Sequence, residues 1–302
     1  MSRNDRRRNL IMADVSALIR QRAADNEAWR EAMLADRTNL SEMKETALKE
    51  VTSVPEQYMN YLRLQADNIQ CSVGNVVLTM YQLDGATRIG SLNYWHEQGR
   101  RVRDEEMKRG AKVFAPPRNK KYRGYILGDY YDISQTSGRP LKEVPKITEN
   151  EGRMEAALAA LMKSTPVGII EDTELSAAAY YDPDQMALAV NTSRSEVEIF
   201  AALSSELAYA HYHNRGRNPY FTRLACRMDA ETVGYLVCRR FGVPCPEPSA
   251  AGVELHFRDF TVSERSDALE ELRKTARDMG DGVEQAIQPR QPERSRRGYF
   301  SR

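Results

Sequence analysis

The chain has 302 residues, 41% hydrophobic and 29% charged, a composition that suits a soluble protein of two domains rather than one. No apolar run approaches the length that spans a bilayer, and the basic start MSRNDRRRN leads into an amphipathic helical pattern, not a signal-peptide core. A membrane partner is therefore excluded and a cytoplasmic location expected. Net charge is +1, and the four cysteines, Cys71, Cys226, Cys238 and Cys245, contain no C-x-x-C pair, so they are read as reduced.

Residues 10 to 50 read as helices, with Ile11, Val15, Leu18 and Ile19 at helical spacing, then Trp29, Met33 and Leu34. Leu40, Met43, Ala47 and Leu48 continue the pattern after an expected break near Asp36 to Asn39, giving an appended arm or a surface for a protein partner. Pro55 sits at a first-turn position, and the helix it opens places Tyr58, Tyr61, Leu62 and Gln65 on one side. Val76 to Tyr81 suits helix or strand, LDGAT a turn, and SLNYWHEQ a short helix ending at Gly99. Lys112 to Pro116 and Arg123 to Tyr131 read as paired strands joined by the basic PPRNKKYR.

Charge is concentrated in this region. Arg100 to Arg123 holds ten Lys or Arg and three acids, a local balance of +7, and the remainder carries −6. Such an island in a near-neutral chain is the footprint of a polyanion-binding surface. Tyr94, Trp95, Tyr122, Tyr125, Tyr130 and Tyr131 are interleaved with these cations, as in single-strand binders, where bases stack on rings and cations follow the phosphates. Trp95 is expected in the core. The expected contact set is Arg100, Arg101, Arg103, Lys112, Arg118, Lys120, Lys121, Tyr122 and Arg123.

An Ala- and Leu-rich helix from Glu151 to Met162 follows, then two short strands about the turn YYDPDQ. Glu196 to Gly242 reads as two apolar helical segments joined by a polar turn at Asn214 to Asn218. In zincins the first such helix carries H-E-x-x-H, with two imidazoles at i and i+4 holding zinc and the Glu acting as general base. Here the register reads Ser205-Glu206-Leu207-Ala208-Tyr209, so the base position is filled and both ligand positions are not. His211 and His213 point to different sides, and no register restores two imidazoles about a Glu. The second segment offers Asp229 and Glu231, with Val233, Leu236 and Val237 set to pack on Phe200, Leu203 and Leu207. Glu206, Tyr209, Asp229 and Glu231 are read as a polar core between the two helices, with no cofactor and no zinc expected. After VPCPEPSAAG, a charged helix lies within Val262 to Ile287, and the Pro- and Arg-rich end PRQPERSRRGYFSR is expected to be disordered.

PEQYMNYLRLQADNIQCSVGNVVLTMYQLDGAT, followed by WHEQGRRV, AKVFAPP and YYDISQTSG, resembles the N-terminal domain of ArdC-type antirestriction proteins, including LtrC-like proteins of conjugative elements. The resemblance runs from Pro55 to Leu141 and resumes where AAAYYDPDQMALAVN precedes the metal helix of that family. It implies a single-stranded DNA-binding domain fused to a metallopeptidase-like domain, carried by a mobile genetic element. Cys71 stands where the family commonly has Tyr, RDEEMKRGAK replaces a shorter and more basic turn, and Ser205 and Tyr209 replace the two zinc histidines.

The expected fold is α+β in two domains. A helical arm spans 1–50, an ArdC-like single-strand-binding domain 51–142, a degenerate zincin-like domain 143–246, and a helix with a basic tail 247–302. The expected function is single-stranded DNA binding of antirestriction or DNA-protection type, with a metal-free pseudo-peptidase half in which Glu206 is vestigial. Two alternatives are an atypical metallopeptidase using His213, Asp229 and Glu231 around Glu206, and a decoy scaffold binding a protein through the arm.

Overall fold

The computed structural model describes residues 3–117, 124–142, 144, 146–149 and 151–288. Its first element, α1 (Arg3–Val51), runs through residues free of Gly and Pro. At 1.5 Å per residue its 49 residues extend about 74 Å. The break expected at Asp36 to Asn39 is absent: nothing there removes a backbone donor, and Arg37 Nη1 instead reaches across to the Tyr125 carbonyl at 3.0 Å. The C-terminal end of α1 is packed, through Leu40, Ala47, Leu48 and Val51, while Leu18, Ile19, Trp29 and Leu34 stand in solvent.

Pro55 opens α2 (Pro55–Asp67), whose Tyr58, Tyr61, Leu62 and Gln65 are all buried as their spacing requires. The ambiguous apolar run is helical, in α3 (Val73–Gln82). Next come β1 (Ile89–Gly90), α4 (Leu92–Glu97) capped by Ser91, β2 (Arg100–Val102), β3 (Ala111–Ala115), β4 (Ile126–Asp132) and β5 (Thr136–Gly138). β4 is the centre of an antiparallel β1-β4-β3 sheet, and β2 pairs with β5. Trp95 is fully buried against Val102 and Tyr131, its indole N–H donating to the Tyr131 carbonyl at 3.0 Å.

The second half comprises α5 (Glu151–Ser164), β6 (Gly168–Glu171), β7 (Ala179–Asp182), β8 (Ala187–Val190), α6 (Glu196–His213), α7 (Arg227–Arg240), the single turn α8 (Val253–His256) and α9 (Val262–Ile287). The turn YYDPDQ joins antiparallel β7 and β8, with β6 parallel on the far side of β8, so β7 is an edge strand. α6 opens on a capping box, Ser195 with Glu198, and closes on Asn214 in the left-handed conformation. Val233, Leu236 and Val237 are buried with Phe200, Leu203 and Leu207 between α6 and α7. One buried cluster runs from Ala47 to Ile287 and joins α2 and α3 to α6, α7 and α9, with the Tyr58 hydroxyl 2.8 Å from that of Thr232 on α7. All four cysteines are free thiols, with Cys238 buried and the other three partly exposed. No helix among the described residues is long and apolar enough to cross a membrane.

Candidate functional site

The degenerate motif lies on α6 where that helix passes β7 and faces the segment leading into α7. Glu206 sits one turn from Tyr209, and its side chain is only 12% exposed. A carboxylate so placed requires a counter-charge, because burying it alone would cost several kcal/mol. That charge is Arg223. Its Nη1 donates to Glu206 Oε2 at 2.7 Å and its Nη2 to Oε1 at 2.8 Å, a two-pronged pair. The guanidinium also lies between two rings, 4.0 Å from the centre of Tyr209 and 4.3 Å from that of Tyr180. Burial pushes the Tyr209 phenol up to about 12, with Arg223 opposing the rise.

The same two residues close the edge of the sheet. Glu206 Oε2 accepts the Tyr181 N–H at 2.7 Å, and Arg223 Nη1 donates to the Tyr181 carbonyl at 2.9 Å. An edge strand ordinarily presents such groups to an added peptide strand. At Tyr181 of β7 they are taken from within the chain.

The remaining motif positions point elsewhere. Ser205 is set against α7 at Gly234, where a Cβ would lie 2.0 Å from Ser205 Oγ, so the helices touch there through a glycine. His213 Nδ1 is 2.6 Å from the Tyr181 hydroxyl, and its ring stacks on Phe221 at 4.5 Å. His211 faces away, 3.9 Å from Glu271 of α9. Asp229 pairs with His256 at 3.0 Å, and Glu231 accepts the Ser249 N–H at 3.1 Å with Arg227 at 3.8 Å. The expected polar core of Glu206, Tyr209, Asp229 and Glu231 is thus divided, because Asp229 and Glu231 find partners in the α8 region and only Glu206 and Tyr209 meet, through Arg223. No group of three or more metal-ligating side chains occurs among the described residues. Residues 205, 206, 209 and 223 do not fit a divalent cation: the one strong oxygen donor is already forked onto a guanidinium, and its neighbours are Ser and Tyr.

Sequence reasoning missed Arg223. The signal available was a carboxylate on a buried helix face with no imidazole beside it, followed within one loop by several arginines. Which of them would reach it is decided by the fold.

Of the expected nucleic-acid contacts, Arg118, Lys120, Lys121, Tyr122 and Arg123 lie outside the described residues, as does most of the basic tail. The other four are placed. Arg101 pairs with Asp104 at 2.6 Å, Arg103 with Glu105 at 3.1 Å and Glu106 at 3.7 Å, and Lys112 with Asp129 at 2.7 Å. Arg100 differs: its bonds go to the Thr136 hydroxyl and carbonyl and to the Arg139 carbonyl, with no carboxylate among the described residues. Asp132, at the end of β4, accepts the N–H groups of Thr87, Arg88 and Ser134 at 2.7, 3.1 and 2.8 Å. Burial would raise its carboxyl, but these bonds outweigh burial and hold it below the usual range.

No family model matches the chain, and no curated protein does. Among solved structures it is similar to the antirestriction protein ArdC from the R388 plasmid. The Mn(II)-bound form matches with a TM-score of 0.45 and 20% identity over 72% of this chain and 85% of that one. The metal-free form matches with a TM-score of 0.43 and 20% identity over 71% and 84%.

Proposed function

We propose that the protein is a single-stranded DNA-binding protein of antirestriction type, carried by a mobile genetic element, whose zincin-like half is a metal-free scaffold without peptidase activity. The observation that carries the scaffold reading is the Glu206–Arg223 pair. A general base must be free to take a proton from water, and this carboxylate is held on both oxygens by a fixed cation. The DNA-binding part rests on the +7 balance of Arg100 to Arg123 and on the motif resemblance. A scaffold of this kind would act in the cytoplasm.

Two measurements test the reading. Elemental analysis of the purified protein should find no stoichiometric zinc or manganese, and Ser205→His with Tyr209→His should gain metal only when Arg223 is also replaced. One-to-one metal in the parent, lost on mutating Glu206, would return the site to the metallopeptidases. In the second measurement, oligothymidylate should bind more tightly than a duplex of equal length. The log of affinity should fall with log salt by about 0.7 per phosphate contact. Equal affinity for the two would remove the single-strand reading.

A protein-binding role for the arm is favoured by one observation: Trp29 is 65% exposed on a helix that also exposes Leu18 and Ile19. Deleting the arm ahead of Leu34 should leave folding and strand binding intact, and a loss of either would show that the arm serves the rest of the chain.

A further inference from the structure

Among the described residues, several cations without a carboxylate partner line a groove assembled from distant stretches of sequence. Two adjoining cavities, of about 440 and 550 Å³, share Asp67, Arg88, Tyr94, Val144 and Arg240 in their walls. Six cations line the pair, and two of them are committed: Arg239 to Asp67 at 3.2 Å, and Arg240 to Asp281 at 2.7 Å and Glu284 at 2.5 Å. The other four, Arg88, Arg100, Lys142 and Lys146, have no carboxylate partner among the described residues. Arg88 donates to the Asp67 carbonyl and Arg100 only to neutral oxygens. Four cations that meet no carboxylate among the described residues and face one cleft favour a positive potential in it. Of the described hairpin cations, Arg101, Arg103, Arg109 and Lys112 already face carboxylates, and Lys108 does not.

The smaller cavity also has the shape and lining of a ring pocket. Ile69, Ile89, Tyr94 and Tyr130 contribute its apolar wall, and its volume is in the range of small-ligand sites. Tyr94 is held in place there. Its ring lies on the backbone of Gly90, where a Cβ would come within 2.1 Å, and packs edge-on to Trp95 with centres 5.0 Å apart. A ring fixed on a glycine and a buried tryptophan is a rigid stacking platform, and rigidity lowers the entropic cost of binding. Asp132 fixes the other component, because it bonds the backbone N–H of Arg88 and so anchors that residue immediately ahead of β1.

We propose that this groove, and not the hairpin, seats the single strand. One base enters the 440 Å³ cavity against Tyr94, and the flanking phosphates lie along Arg88, Arg100, Lys142 and Lys146. The proposal rests on the single-strand-binding reading above and names its site.

The test uses the full chain and a fluorescent oligothymidylate, titrated by anisotropy at several salt concentrations. Lys142→Ala with Lys146→Ala should lower affinity about tenfold or more and flatten the salt slope by about 1.4, the share of two phosphate contacts. Tyr94→Ala should lower affinity roughly ten- to a hundredfold and leave the slope unchanged, because no charge is lost. Tyr94→Phe should bind like the parent, which separates stacking from loss of the fold. Crosslinking with a bromodeoxyuridine oligonucleotide should attach to the peptide carrying Tyr94. If the parent binds but both groove variants bind equally well, while Lys120→Ala with Lys121→Ala does not, the groove is wrong and the binding reading stands. If the parent binds no single strand, both fall.

Discussion

The two halves of the molecule each set an arginine beside tyrosine rings, and they dispose of its charge in opposite ways. In the α6–α7 half, Arg223 is forked onto Glu206, clamped between Tyr180 and Tyr209, and bonded to the edge of β7. In the N-terminal half, Arg88 and Arg100 are oriented by neutral oxygens and, with Lys142 and Lys146, keep their charge unmatched beside Tyr94. The first arrangement is closed, with both carboxylate oxygens of Glu206 held by the guanidinium. The second is open, its cations meeting no carboxylate among the described residues. A cation marks a binding site when its orientation is fixed and its charge is not neutralised, and cation counts along a sequence do not separate the two cases.

The largest expected effect tests the closed half. Arg223→Met leaves Glu206 buried without a counter-charge and should cost about 3 kcal/mol in urea unfolding. Arg223→Met with Glu206→Leu should recover most of that loss, since replacing both members of a buried pair by apolar groups is often neutral. If the single variant is as stable as the parent, the pair is not the organising contact of the motif. The Tyr209 phenol, near 12 in the parent, should titrate higher still once the cation is gone, which a spectrophotometric titration reads directly.

A somewhat smaller effect is expected at Gly234→Ala. Its new Cβ has to displace Ser205 and should cost about 2 kcal/mol, much of it returned by adding Ser205→Gly. At the open half, Asp132→Asn should cost about 1–2 kcal/mol through weakened bonds to Thr87, Arg88 and Ser134. Because its folded carboxyl is depressed, the stability Asp132 supplies is present above its ordinary value near 3.8 and is lost as pH falls through the lower folded value. The acid limb of a stability-against-pH curve should therefore be shallower in the variant. Strand affinity should fall with it, as Arg88 loses its anchor.

The smallest effect sharpens the contrast within the basic region itself. Arg101 and Asp104 are 74% and 81% exposed, so Arg101→Ala should change stability by less than about 0.5 kcal/mol. It should also change strand affinity far less than the Lys142/Lys146 pair does. A larger loss at Arg101 than at those lysines would shift the site back towards the hairpin.

Local chemistry made much of this legible. Pro55 announced α2, the spacing of Tyr58, Tyr61, Leu62 and Gln65 its buried face, and YYDPDQ the turn between β7 and β8. Each is decided within a few residues. The continuity of α1 was missed because the polar run from Asp36 to Asn39 resembles a loop, yet contains neither Gly nor Pro to stop a helix. Arg223 was missed because it meets Glu206 across 17 residues and a loop. The groove draws on stretches near 67, 88, 100, 142 and 240, which only the tertiary fold brings together. Pairing within the basic region was not legible either: Asp104 and Glu105 entered the charge count but not as partners of particular cations, and Asp129 lies beyond the counted stretch.

The contact of α6 and α7 at Ser205 and Gly234 bears on how such a chain could change in either direction. A histidine at 205 would arrive where the facing helix leaves space for a hydroxyl and little else, while a histidine at 209 would lose the ring on which Arg223 rests. Taken one at a time, each substitution meets a steric or electrostatic penalty before any metal could repay it. Under the scaffold reading proposed above, building a metal site on this helix pair would take several substitutions made together, each unfavourable alone.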